Sequence, residues 1–189
     1  MTLLFKLYLK EFDCLFIQFI SKIIPSIELE KRDHFTLTCS SKRVLEIILT
    51  LKNSTNLQFK SLTDVAGLDF IRNSFRLAVS YNLLSIQFNQ RLRILAFLGK
   101  RALLPSITSA FKCSNWLERE VWDLFGIFFR FHPDLRRLLT NYGFEGHPLR
   151  KDFPLEGFFD CFYSFVNEGV VQEFLSFSSV FKKNVLKKN

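Results

Sequence analysis

Apolar residues recur mostly at three- and four-residue steps through the first segment, at Leu4, Leu7, Phe12, Leu15, Phe16, Phe19, Ile20 and Ile23, until Pro25. This spacing predicts an amphipathic helix over Leu3 to Ile24 that docks on a sheet. Lys6, Lys10, Glu11, Asp13 and Lys22 interrupt it, so it falls short of the roughly 20 uncharged residues a membrane-spanning helix needs. Its polar face mixes both signs, unlike the Lys/Arg-rich face of a membrane-surface helix. It has neither a small-residue cleavage site nor the acid-poor, Arg-rich texture of a transit peptide, so the chain is expected to stay where it is translated.

Beyond Pro25 the period becomes two. Phe35, Leu37 and Cys39 alternate with His34, Thr36 and Thr38, which predicts a strand with one buried face. Ser40 and Ser41 are then placed to cap a helix carrying Val44, Leu45, Ile48, Leu49 and Leu51 at helical spacing. Ser61 to Asp64 has capping-box form and predicts a short helical turn before Gly67. Alternation returns at Phe75, Leu77, Val79 and Tyr81, at Leu84, Ile86 and Phe88, and at Leu92, Ile94 and Ala96, which reads as an antiparallel meander. Asn115 as N-cap, Glu118 three residues on and Gly126 as terminator predict a helix over Trp116 to Phe125, with Arg119 and Asp123 paired at i and i+4. The whole reads as an α+β, two-layer domain over residues 1–126, with a mixed, largely antiparallel sheet covered by helices. From 127 to 189 the texture turns irregular: Pro133, Gly143, Gly146, Pro148, Pro154 and Gly157 space an apolar stretch, which predicts an extended segment wrapped along a partner.

Composition narrows the function classes. At 48% hydrophobic and 23% charged the 189 residues describe a folded chain, and 24 Phe point to the T-rich codon drift of an organellar genome. The net charge of +8 admits an acidic partner or a nucleic acid. Cys14, Cys39, Cys113 and Cys161 form no C-x-x-C pair, and His34, His132 and His147 are scattered, which argues against a zinc or clustered iron–sulfur site. Glu118 and Glu120 lie two apart on a helix and point about 200° away from each other, so they do not converge as an acid/base pair. Trp116 and Trp122 fall on different helix faces, one suited to the core and the other to an interface.

The run E118-R-E-V-W-D-L-F-G126, then H132-P-D-L-R-R-L-L-T140, then Y142-G-F-E-G-H-P-L-R-K-D-F-P-L155 resembles the signature of the 30-kDa subunit of respiratory complex I, NADH:ubiquinone oxidoreductase. F59-K-S-L-T-D64, Y81-N-L-L-S-I-Q-F-N-Q-R-L-R-I94 and F111-K-C-S-N-W116 resemble the same family, so the likeness covers roughly residues 59 to 155. The tail departs from that pattern at Asp160 to Ser164 and at Phe174, and ends in Lys182, Lys183, Lys187 and Lys188.

The resemblance implies a structural subunit of the peripheral arm with no catalytic residue and no flavin, iron–sulfur cluster, quinone or metal of its own. It implies a hetero-oligomer in which the chain braces the 49-kDa subunit beside neighbouring peripheral-arm subunits, on the matrix side of the mitochondrial inner membrane, without a membrane span or nucleic acid. The interface positions it marks are Glu118, Arg119, Glu120, Asp123, His132, Pro133, Arg136, Arg137, Gly143, His147, Pro148, Arg150, Lys151 and Asp152. Arg136, Arg137, Arg150 and Lys151 are expected to pair with partner carboxylates, and His132 and His147, each held extended by the following Pro, to bond a partner's backbone. The competing reading, an RNA-binding protein of an organellar ribosome, is disfavoured because the aromatics sit at core periodicities instead of interleaving with Lys and Arg.

Overall fold

The structure, a computed structural model, describes residues 28–31, 35–71, 75–99 and 102–175. The predicted helix at 3–24 and the Lys-rich end lie outside the described residues.

Five strands form one sheet: β1 (Glu28–Lys31), β2 (Phe35–Ser40), β3 (Ser61–Asp69), β4 (Leu77–Ser85) and β5 (Gln90–Phe97), in the order β1-β2-β5-β4-β3. All neighbours are antiparallel except β2 and β5, so the sheet is mixed and largely antiparallel. Alternation puts Phe35, Leu37 and Cys39 on the same face as Leu92, Ile94 and Ala96 of β5 and Leu77, Val79, Tyr81 and Leu83 of β4. Onto that face pack α1 (Val44–Asn53), through Val44, Ile47, Ile48 and Leu51, and α2 (Ser114–Phe125), through Val121. The two-layer α+β arrangement follows, because each element has one apolar side to bury and each buried aliphatic side chain is worth about 1.5–3 kcal/mol.

Three local expectations are corrected. Ser61–Asp64 is strand, not a helical turn. The β3–β4 register jumps between Leu62 and Asp64, so Thr63 is a bulge residue, and Leu62 and Val65 face the core three positions apart. A bulge in a strand thus imitates helical spacing. Ser40 and Ser41 make no side-chain cap; α1 is entered through a 3-10 turn at Ser41–Arg43. The inward series of β4 continues through Leu83 and Ser85, leaving Ile86 75% exposed in the turn to β5, where Asn89 takes φ +47°.

Two smaller pieces complete the chain. Parallel β6 (Leu103–Pro105) and β7 (Phe128–Arg130) form a ribbon that buries Leu104 and Phe129, and antiparallel β8 (Phe159–Ser164) and β9 (Gly169–Phe174) form a hairpin. Residues 131–158 run between them along α2. Gly67 of β3 lets α2 approach, since a Cβ there would run into the Phe125 ring. Among the described residues no helix is long and apolar enough to cross a membrane.

Candidate functional site

The junction of α2 with residues 132–152 gathers most of the positions singled out in the sequence. A helix ends with backbone carbonyls that lack partners within it, and the run H147-P-L-R150 supplies partners for those of α2. His147 Nδ1 lies 2.9 Å from Asp123 O, Leu149 N–H donates to Leu124 O at 3.1 Å, and Arg150 donates from Nε to Phe125 O at 2.5 Å and from Nη2 to Gly126 O at 3.3 Å. Pro148, having no N–H, sits where no donor is required. The Arg150 guanidinium also opposes the negative end of the helix dipole. Burial pulls the His147 pKa below its usual range, and the adjacent Arg150 and Arg137 add to that despite its bond to Asp123.

Gly126 makes this seat possible. It closes α2 at φ +70°, with its N–H on Trp122 O at 2.8 Å, and a Cβ there would collide with Arg150 Nη2 and with the His147 ring. Gly126→Ala is expected to cost about 1–2 kcal/mol for the left-handed conformation alone, and more as Arg150 and His147 are displaced. Denaturant unfolding of the variant measures it.

Asp123 is the second fastening. Its side chain is fully buried; Oδ1 accepts from Arg137 Nη1 at 2.9 Å and Thr140 Oγ1 at 2.7 Å, and Oδ2 from the N–H groups of Leu138, Leu139 and Thr140 at 3.2, 2.9 and 2.9 Å. Burial alone would raise its pKa, but the Thr140 N–H and hydroxyl, then the Leu139 and Leu138 N–H groups, outweigh it and bring it down to about 2. Arg137 also donates to Gly146 O at 3.1 Å and lies between the Trp122 and Phe144 rings, 5.6 and 5.9 Å from their centroids.

A third fastening ties the segment to the sheet. Asp69 of β3 takes two bonds from Arg76, at 2.8 and 2.9 Å, and one from Lys151 N–H at 2.9 Å, while Arg76 reaches Asp152 at 2.7 Å. Hydrogen bonding from Arg76 holds both carboxyls below the usual range, against a smaller opposing effect of burial.

At the other end of α2, Glu118 is fully buried and accepts from Ser106 Oγ at 2.6 Å and Ile107 N–H at 2.8 Å. Burial raises its pKa to about 7, against the lowering effect of those bonds. The equally buried His132 ring lies 3.8 Å away, with Nε2 3.2 Å from Asn115 O and Nδ1 accepting from Asp134 N–H at 3.1 Å. On that network Nε2 carries the proton.

Several expectations change here. Glu118 is no capping-box acid: α2 starts at Ser114 with no side-chain cap, and Glu118 holds the 106–107 loop instead. Arg119 does not pair with Asp123; it donates to the carbonyls of Arg136 and Arg137 at 3.1 and 3.4 Å. His132, His147, Arg137 and Arg150 bond their own chain's backbone or carboxylates, not ones reserved for a partner. Arg136 pairs with Asp134 at 2.7 Å on the surface. Glu120 is half-buried on α2, Pro133 is exposed just past β7, and Gly143 takes φ +74° in an exposed turn. Ser106, Thr140, Asp69 and Arg76 also belong to the junction, and local pattern does not mark them: Ser106 lies 12 residues from Glu118, Thr140 17 from Asp123, and Asp69 82 from Lys151.

The stretch of chain that holds this fold and this junction matches a known family. The family model described as respiratory-chain NADH dehydrogenase, 30 Kd subunit, matches residues 37–159. The chain belongs to this family. It is 43% identical over 175 residues to NADH-ubiquinone oxidoreductase subunit 9 of Reclinomonas americana, covering 93% of this chain and 85% of that one. It is 40% identical over 160 residues to a bacterial NADH-quinone oxidoreductase subunit from Paramagnetospirillum magneticum, covering 82% and 80%. A solved trypsin-resistant fragment of Nqo5 superposes with a TM-score of 0.57 at 28% identity, covering 64% of this chain and 98% of the fragment. The chain spans about half the length of the longer fungal relatives it also matches. As a member of the family it is a subunit of respiratory complex I, a hetero-oligomer, and its relatives include mitochondrial proteins.

Proposed function

We propose that the chain is a non-catalytic brace of the peripheral arm of complex I, on the matrix side of the inner membrane, that holds the 49-kDa subunit and so supports NADH-to-ubiquinone electron transfer and coupled proton pumping. In this reading it carries no flavin, cluster or quinone. The observation that carries it is the apolar surface beyond the fastened junction: Leu155, Phe165, Val166, Val170 and Phe174 are 70–92% exposed, and Phe159, Phe162 and Tyr163 are exposed on the same hairpin. A two-stranded hairpin is marginal alone in water, so one with such faces needs a surface to cover it. The fastenings at Asp123, Asp69 and the α2 carbonyls fix where residues 131–158 leave the domain, which is what a rigid brace requires.

Cross-linking of the intact solubilised complex, followed by peptide mass spectrometry, tests this. Links from Lys151 and neighbouring positions to the 49-kDa subunit support the reading; links only to other subunits contradict the assigned partner.

A further inference from the structure

A second surface lies at the opposite end of α2 from the carbonyl seat. In β7 the Phe129 side chain is buried, so Phe128 and Arg130 face outward, and Phe128 stands opposite Leu103 in the ladder. Phe128 is 51% exposed, and Phe131 immediately after the strand is 81% exposed. Phe131 has φ +64°, a left-handed conformation that glycine adopts freely and a bulky residue adopts only under strain. The chain must turn there because His132 inserts fully buried beside Asn115 and Glu118. Phe131 is thereby held one residue before His132, whose ring reaches Asn115 O at the start of α2, and Trp116, the residue after Asn115, is 65% exposed. The Arg130 guanidinium stands 4.8 Å from the Phe131 centroid and that of Arg119 5.8 Å from the Trp116 centroid. Nearby carboxylates are engaged: Glu118 is buried on Ser106 and Ile107, and Asp134 is paired with Arg136.

We propose that Phe131, with Trp116 and Phe128, is a docking patch for a neighbouring protein subunit that presents an apolar pocket rimmed by carboxylates. This rests on the reading that the chain assembles with other subunits, and it adds a contact away from the apolar hairpin. Three exposed rings against two guanidiniums is the balance of a protein hot spot; a phosphate-binding strip would reverse it. A strained aromatic kept in water is unfavourable for the isolated chain and becomes favourable once its ring is covered.

Phe131→Gly separates the two roles. In the purified full-length chain it relieves the strain, so the thermal midpoint is expected to rise; in the complex, the share of the variant incorporated in competition with the parent chain is expected to fall several-fold. Undiminished incorporation overturns the proposal, since a merely structural residue moves only the first readout. A benzophenone side chain at position 131 of the assembled complex is expected to give an adduct with one protein subunit, through a peptide that carries Asp or Glu. An adduct with lipid or RNA, or no adduct, also overturns it. If the parent chain itself does not co-purify with the complex, the assembly reading fails as well, and that result differs from undiminished incorporation of the variant.

Discussion

Asp123→Ala is expected to be the most damaging single substitution at the junction, lowering stability by about 3–5 kcal/mol. It strips a carboxylate from Arg137, from Thr140 and from the N–H groups of Leu138 and Leu139, and leaves a partly buried guanidinium without its counter-charge. Against the roughly 5–15 kcal/mol of a typical domain that is a large fraction. Residues 131–152 should come loose first, because the core behind α2 rests on other contacts. Limited proteolysis should therefore cut the variant within this segment before the sheet unfolds. Asp123→Asn keeps one acceptor oxygen and should fall between. The folded Asp123 titrates near 2, below its unfolded value of about 3.8, so its contribution is present above about pH 4 and is lost as the pH falls toward 2.

Glu118 should give the opposite pH dependence. Its carboxyl is raised from an ordinary 4.5 to about 7, so the folded chain keeps a proton that the unfolded chain releases. Stability is unaffected below pH 4.5, declines as the pH rises from 4.5 to 7, and levels off above, by about 3 kcal/mol in total. Glu118→Gln still offers an oxygen to the Ile107 N–H or the Ser106 hydroxyl but has no proton to lose. The variant should therefore be more stable than the parent at about pH 8 and nearly equal to it at about pH 5. His147 contributes an opposing slope, because its lowered pKa makes folding weaken as the pH falls through its ordinary value of 6.5. That slope is common to both chains, so the difference between their denaturant midpoints across this range isolates Glu118.

What could be read from the sequence was whatever the local period controls. Leu37 between Phe35 and Cys39, and Ile48 after Val44, reveal their elements because like burial recurs two residues apart in the strand and three or four apart in the helix. Gly126 likewise announces a helix end, since the left-handed residue is a local requirement. Thr63 defeated the same reasoning: one extra residue in β3 moves Val65 back to the core three positions after Leu62, and only pairing with β4 reveals why. The junction was legible as a set of residues through the family resemblance, but the bonds these residues make within their own chain were not. Asp123 finds Thr140 17 positions on, and Phe125 O finds Arg150 25 positions on. Charged residues that look destined for another protein were consumed in holding the chain's own extension, and local pattern has no access to pairings at that separation.

The measurement that most directly tests the central claim, a structural and non-catalytic subunit, uses Arg150→Ala, which removes the side chain on Phe125 O and Gly126 O. The complex carrying it would be separated on native gels, its amount determined, and NADH:ubiquinone turnover measured per assembled complex. The account predicts less assembled complex with unchanged turnover in what remains. Normal amounts of assembled complex with lost turnover would contradict it.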